Sequence, residues 1–132
     1  MAKEKKVVDA SVLVKLFAKE EGTNSARDLR AKHVAGEIVL VTTSLAFLEV
    51  MNGLRYARHR TGSLQKHSAD LWDLSLVVPT LSKETMARTV AIAEELSLSV
   101  YDALYLATAR NLGCSLITAD KALAQHPPAT LL

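Results

Sequence analysis

The stretch Ser99–Lys121, SVYDALYLATARNLGCSLITADK, constrains the fold more than any other part of the chain. It reads as a helix, a tight turn, a short strand and a second turn. Val100 to Leu112 carries Ala, Leu and Tyr on nearly every side, the pattern of a helix buried all round. Gly113 stands where a glycine ends a helix. Ser115–Thr118 is an apolar run long enough for a buried strand. Two carboxylates bracket this unit, Asp102 in the first turn of the helix and Asp120 just after the strand. Each has a purely structural reading. Ser99 with Asp102 fits a capping box, and Asp120 can cap the short helix that follows it. A site at this place requires further carboxylates to arrive there.

The rest of the chain bounds what such a site could serve. At 132 residues it has the length of one domain with a real core, and 49% apolar residues exclude a disordered chain. No apolar run approaches the roughly 20 residues of a membrane helix, so no membrane role is expected. The start, Met1 to Lys6, is charged and has no apolar stretch of the kind a signal peptide carries. Cys114 is the only cysteine, which excludes an internal disulfide and a cysteine-based zinc site. A buried inert thiol is expected there, and the cytoplasm is the expected compartment. The net charge of +2 permits a nucleic-acid partner without arguing for one.

In chain order, Lys6–Asp9 is a short strand ending in an acid. Ser11–Ala18 predicts a helix with Val12, Leu16 and Phe17 turned to the core. Thr23–Ala35 predicts a second helix, bounded by Gly22 and Gly36, with Arg27, Arg30 and Lys32 outside. Ile38–Thr42 is a β-branched strand. Thr43 or Ser44 caps a long helix to about Arg60, with Phe47, Val50, Met51, Leu54 and Ala57 inward and Glu49, Asn52 and Tyr56 on another stripe. Leu64–Leu74 predicts a helix anchored by Leu64, Leu71, Trp72 and Leu74. Leu76–Val78 predicts a third strand, stopped by Pro79. Ser82 caps a helix to Leu96 with Met86, Val90, Ala93 and Leu96 inward. After Asp120 come a short helix, Pro127-Pro128 and a terminal run that can add an edge strand. Tyr101 and Tyr105 are expected in the core, and Trp72 in the core or at a dimer interface.

This alternation predicts an α/β fold, a three-layer α/β/α domain around a parallel sheet of about four to five strands. In such sheets a site forms beyond the carboxyl ends of the strands. Asp9, Glu49, Asp102 and Asp120 all fall on that side. Asp9 also reads as a cap, and Glu49 as a solvated side chain. Jointly those readings weaken, because gathered carboxylates repel and raise one another's pKa unless a cation compensates. Ser11 and Thr118 add neutral oxygen donors. An oxygen-only donor set suits Mg²⁺ or Mn²⁺, and no histidine lies in these motifs, which argues against zinc. A carboxylate-held Mg²⁺ with open positions points to phosphoryl chemistry by metal-activated water.

On VVDASVLVKLF, SLAFLEV and YDALYLATARNLGCSLITADKAL the chain resembles the PIN domain family, and within it the VapC-type toxins of toxin–antitoxin pairs. The helix YDALYLATA followed by the TAD turn is the most specific piece. The resemblance implies one nuclease domain over residues 1–132, a metal-dependent endoribonuclease acting on RNA. It carries the catalytic and metal-binding roles onto Asp9, Glu49, Asp102 and Asp120. Ser11 and Thr118 become supporting residues. It further implies strand order 3-2-1-4-5, a homodimer and a cognate antitoxin that blocks the site. Lys121 stands where a further acid would add a ligand, which leaves one metal or two open.

Substrate contacts are less legible. Arg55, Arg58, His59, Arg60, Lys66 and His67 form a basic run around the Thr61–Ser63 turn. The run can meet RNA phosphates or offset a helix dipole, and the sequence favours neither. Tyr56 can stack on a base. Two other chemistries that begin at a strand-end aspartate fit less well. A haloacid-dehalogenase-type phosphatase needs an acid where Ser11 stands, and a receiver domain needs paired acids at the first strand. A non-catalytic RNA- or protein-binding module of the same fold is the alternative to the enzyme.

Overall fold

The computed structural model describes residues 2–132, so Met1, in the charged start, lies outside the described residues. The elements run β1 (Glu4–Val8), α1 (Ala10–Leu13), α2 (Thr23–Val34), β2 (Ile38–Val41), α3 (Ser44–Arg55), α4 (Leu64–Asp73), α5 (Lys83–Leu96), α6 (Val100–Leu112), β3 (Ser115–Thr118) and β4 (Ala129–Leu131). The sheet order is β2-β1-β3-β4, all parallel. Val7, Val8, Leu40, Val41 and Leu116 are buried in it, as expected for strands covered on both faces. Helix α6 lies on β1 and β3 with α5 packed against it, α2 lies on β2, and α1 touches β3 and α3. The result is the expected three-layer α/β/α arrangement.

The predicted third strand at Leu76–Val78 shrinks to one parallel bridge, Val77 against Val41. Val77 exchanges backbone bonds with Leu40 and Thr42 there. Counting that bridge, the order along the sheet is the expected 3-2-1-4-5, with the terminal run as the edge strand β4.

Other expectations need correction. The helix expected to reach Ala18 ends at Leu13 and tightens into a 3₁₀ turn over Val14–Leu16. The long helix expected to reach Arg60 ends at Arg55. In both cases the chain leaves the helix to pair with itself. Ala18 bridges Arg60 antiparallel, Lys19 N–H donates to His59 and Thr61 N–H donates to Phe17. Tyr101 is 58% exposed and Trp72 is 73% exposed, so neither is core in the single chain. Met86 and Val90 are also exposed, whereas Ala93 is buried. Among the described residues no helix is long and apolar enough to cross a membrane.

Candidate functional site

Asp9 follows β1 and is the N-cap of α1, where its Oδ1 accepts from Val12 N–H at 3.3 Å. Strand β3 lies beside β1, with Val8 opposite Ile117, which puts Thr118 next to Asp9. Thr118 donates its hydroxyl to Asp9 Oδ2, and Ser11 donates to Asp9 Oδ1, each at 2.5 Å. Ser11 Oγ accepts from Ala119 N–H at 2.9 Å, and Thr118 Oγ1 accepts from Asp120 N–H at 3.1 Å. These bonds fasten the end of β1 to the turn after β3. They fix Asp9, which is 4% exposed.

The other three acids enter from three elements. Asp120 caps the turn after β3, its Oδ1 accepting from Ala122 and Leu123 N–H. Asp102 opens α6, its own N–H held by the Ser99 hydroxyl at 3.0 Å. The cap readings of Asp9, Asp120 and Ser99 are therefore correct, and they also place the carboxylates. Glu49 sits in the second turn of α3 on an exposed face. Its Oε1 accepts from the Tyr105 hydroxyl at 3.1 Å.

The acids act on one another. Burial pushes the Asp9 carboxyl up, and Asp102 pushes it further, while the bonds from Ser11, Thr118 and Val12 oppose the rise. Burial raises Asp102, and Asp120 adds to it. Burial raises Glu49, with Asp102 and Asp9 adding. Asp102 is thus the hub that couples the other three. The ion pairs among the described residues are Lys6–Glu4, Lys15–Glu20, Lys32–Asp28 and Lys66–Asp70, and none uses these acids.

A buried carboxylate with neutral donors and no cationic partner is unfavourable unless a cation reaches it. The donor set fits a hard divalent ion on that ground. Among the described residues no three acidic, histidine or cysteine side chains close around one point. The acids thus lie near one another without closing into a ligand cage.

Arg55, Tyr56, Arg58 and Arg60 are exposed, and no hydrogen bond or ion pair joins them to the acids among the described residues. The Arg55 guanidinium stands over the Tyr56 ring, 5.6 Å from its centre. His67 is buried instead, its ring against Phe17 and its Nε2 bonded to Thr61 O. Cys114 is half-buried, and burial pushes its thiol up, as expected of an inert cysteine.

Sequence reasoning missed the role of Tyr105 at this site. Tyr105 is in the core, as expected, yet its hydroxyl reaches Glu49. The available signal was its place one turn after Asp102 in an apolar helix, since a buried tyrosine hydroxyl needs a partner.

The chain matches the PIN domain family over residues 6–127. It is 36% identical over 131 residues to Ribonuclease VapC3 of Pyrobaculum aerophilum, covering 95% of this chain and 96% of that protein. Among solved structures it resembles PAE2754 of the same organism, with a TM-score of 0.71 at 23% identity, covering 97% of this chain and 83% of that one. It also resembles a chain of a toxin–antitoxin complex from Klebsiella pneumoniae, with a TM-score of 0.65 at 23% identity over 95% of both. With acids gathered at the ends of β1 and β3 and a match running nearly end to end, the chain belongs to the PIN domain family.

Proposed function

We propose that this chain, as one nuclease domain, is a Mg²⁺- or Mn²⁺-dependent endoribonuclease and the toxin of a toxin–antitoxin pair. The observation that carries the reading is the set of four acids coupled through Asp102 with no cation among them. Its likeness to a protein named a ribonuclease supports RNA as the substrate. Asp9, Glu49, Asp102 and Asp120 are the residues that would hold the ion. When bound, it supplies a Lewis acid for the phosphate and an activated water at neutral pH. Ser11 and Thr118 keep both Asp9 oxygens fixed, so that carboxylate does not reorganise as substrate arrives. A bound cation would relieve the mutual repulsion of these acids and favour their ionised forms. Arg55, Arg58 and Arg60 would meet RNA phosphates, and Tyr56 a base.

The partner reading rests on exposed apolar side chains. Leu48, Trp72, Leu81, Met86 and Val90 face outward from α3, α4, α5 and the segment before α5. Patches of this kind mark protein contacts. We assign them to a second copy and to an antitoxin, by analogy with the Klebsiella complex. The cytoplasm is the compartment in which such a protein would meet RNA.

The test is cleavage of single-stranded RNA by the purified chain with Mn²⁺, with EDTA, and with Asp102→Asn. Cleavage that needs Mn²⁺ and Asp102 is expected. RNA binding without cleavage would favour the non-catalytic module, and cleavage in EDTA would remove the metal from the account.

A further inference from the structure

We propose that Tyr105 is a positioning residue for Glu49, holding its carboxylate in the acid cluster through its buried hydroxyl. The inference rests on reading the four acids as metal ligands and assigns a role to a fifth side chain.

Glu49 has less side-chain support than Asp9 or Asp120. Asp9 is held by two hydroxyls and a backbone N–H, and Asp120 by two backbone N–H groups. Glu49 projects from an exposed helix face on a long, rotamer-rich side chain. Left to itself it would spread over several conformations. Among the described residues its one side-chain bond comes from Tyr105, at 3.1 Å. Tyr105 is 1% exposed, so its ring is locked by packing and its hydroxyl is a fixed point.

The phenol can donate and the Glu49 carboxylate can only accept, so the bond runs from the fixed ring to the mobile acid. Helix α6 therefore carries Asp102 in its first turn and, one turn on, the hydroxyl that aims Glu49. One rigid element sets two of the four acids.

A tyrosine serving only the core would not affect the ion. The experiment measures Mn²⁺ affinity by counting free Mn²⁺ by electron paramagnetic resonance. It compares the parent, Tyr105→Phe, Glu49→Gln and the double variant, with metal-free melting of each. Loss of a group that orients a ligand typically weakens metal affinity about tenfold. Tyr105→Phe is expected to show that loss, with melting near the parent's, and to add nothing in the Glu49→Gln background. Tyr105→Met, which also lacks the hydroxyl, is expected to move affinity the same way, which keeps the test alive if Tyr105→Phe folds poorly. Unchanged Mn²⁺ affinity in whichever of these variants folds would overturn the inference. So would an equal loss in both backgrounds, since Tyr105 would then act on packing and not through Glu49. A parent that binds no Mn²⁺ would overturn the metal reading and this inference with it, a result distinct from the other two.

Discussion

His33 and Asp9 are both polar side chains drawn into the fold beside the sheet, and they are partnered in opposite ways. His33, near the end of α2, gives both ring nitrogens to backbone. Its Nδ1 accepts from Leu40 N–H at 3.0 Å and its Nε2 donates to Leu74 O at 2.8 Å. It ties α2 to β2 and to the end of α4, and nothing on the ring is left to bond. Asp9 also has its oxygens bonded, but only by neutral donors, and its charge has no partner. The first region is closed and its polar group serves the fold. The second is satisfied in hydrogen bonds and unsatisfied in charge, which is the condition of a site that awaits a cation.

The comparison breaks most sharply on Asp102→Asn. If the acids serve chemistry, this substitution lowers RNA cleavage by about a thousandfold, since a metal ion contributes several kcal/mol to such a step. Circular dichroism should show an unchanged fold, because asparagine is also acceptable at a helix start. If Asp102 only caps α6, cleavage stays at the parent rate.

His33→Ala tests the other region. It leaves Leu40 N–H and Leu74 C=O without their partner, and each such loss costs about 1–3 kcal/mol. Urea unfolding should show a stability loss in that range, with cleavage per folded molecule unchanged. A loss of cleavage without a loss of stability would erase the distinction drawn here.

The smallest effect is the pH dependence of the metal-free protein. Asp9, Glu49 and Asp102 are raised in the folded state, so between the ordinary carboxylate range and their raised values the folded chain binds more protons than the unfolded one. Their contribution to stability therefore falls as pH rises through that window, and the deficit is complete above it. Asp102→Asn should melt slightly higher than the parent at neutral pH. The difference should shrink on acidification and vanish below the ordinary aspartate value of 3.8. A variant that melts lower at neutral pH would show that Asp102 is compensated.

The parts of this molecule legible in sequence are those where local rules and tertiary demands agree. Ser82 and Ser99 cap their helices as their spacing predicts, and Gly113 ends α6 in the left-handed conformation. Asp9 and Asp120 stand at neighbouring strand ends, with β1 beside β3 in the order that the family resemblance implied. What was not legible depends on partners far along the chain. The early ends of α1 and α3 follow from Ala18 meeting Arg60, a pairing no local pattern announces. Val77 pairs with the edge strand β2 at only one residue, so a β-branched run there does not become a strand. Helical spacing placed Met86 and Val90 inward, and Tyr101 was expected in the core, because exposed and buried apolar side chains look alike in one sequence. Tyr105 was assigned its burial correctly, but its hydroxyl's partner on α3 lies 56 residues away.

The central claim is that the four acids form one cation-seeking site, and melting in the presence of Mn²⁺ tests it most directly. At about a hundredfold excess over the dissociation constant, an ion that binds only the folded chain stabilises it by about 2.7 kcal/mol. The account predicts a clear rise in melting temperature with Mn²⁺ for the parent, no rise for Asp102→Asn, and no rise for either with sodium chloride of matched ionic strength. An equal rise in parent and variant, or none in the parent, would contradict it.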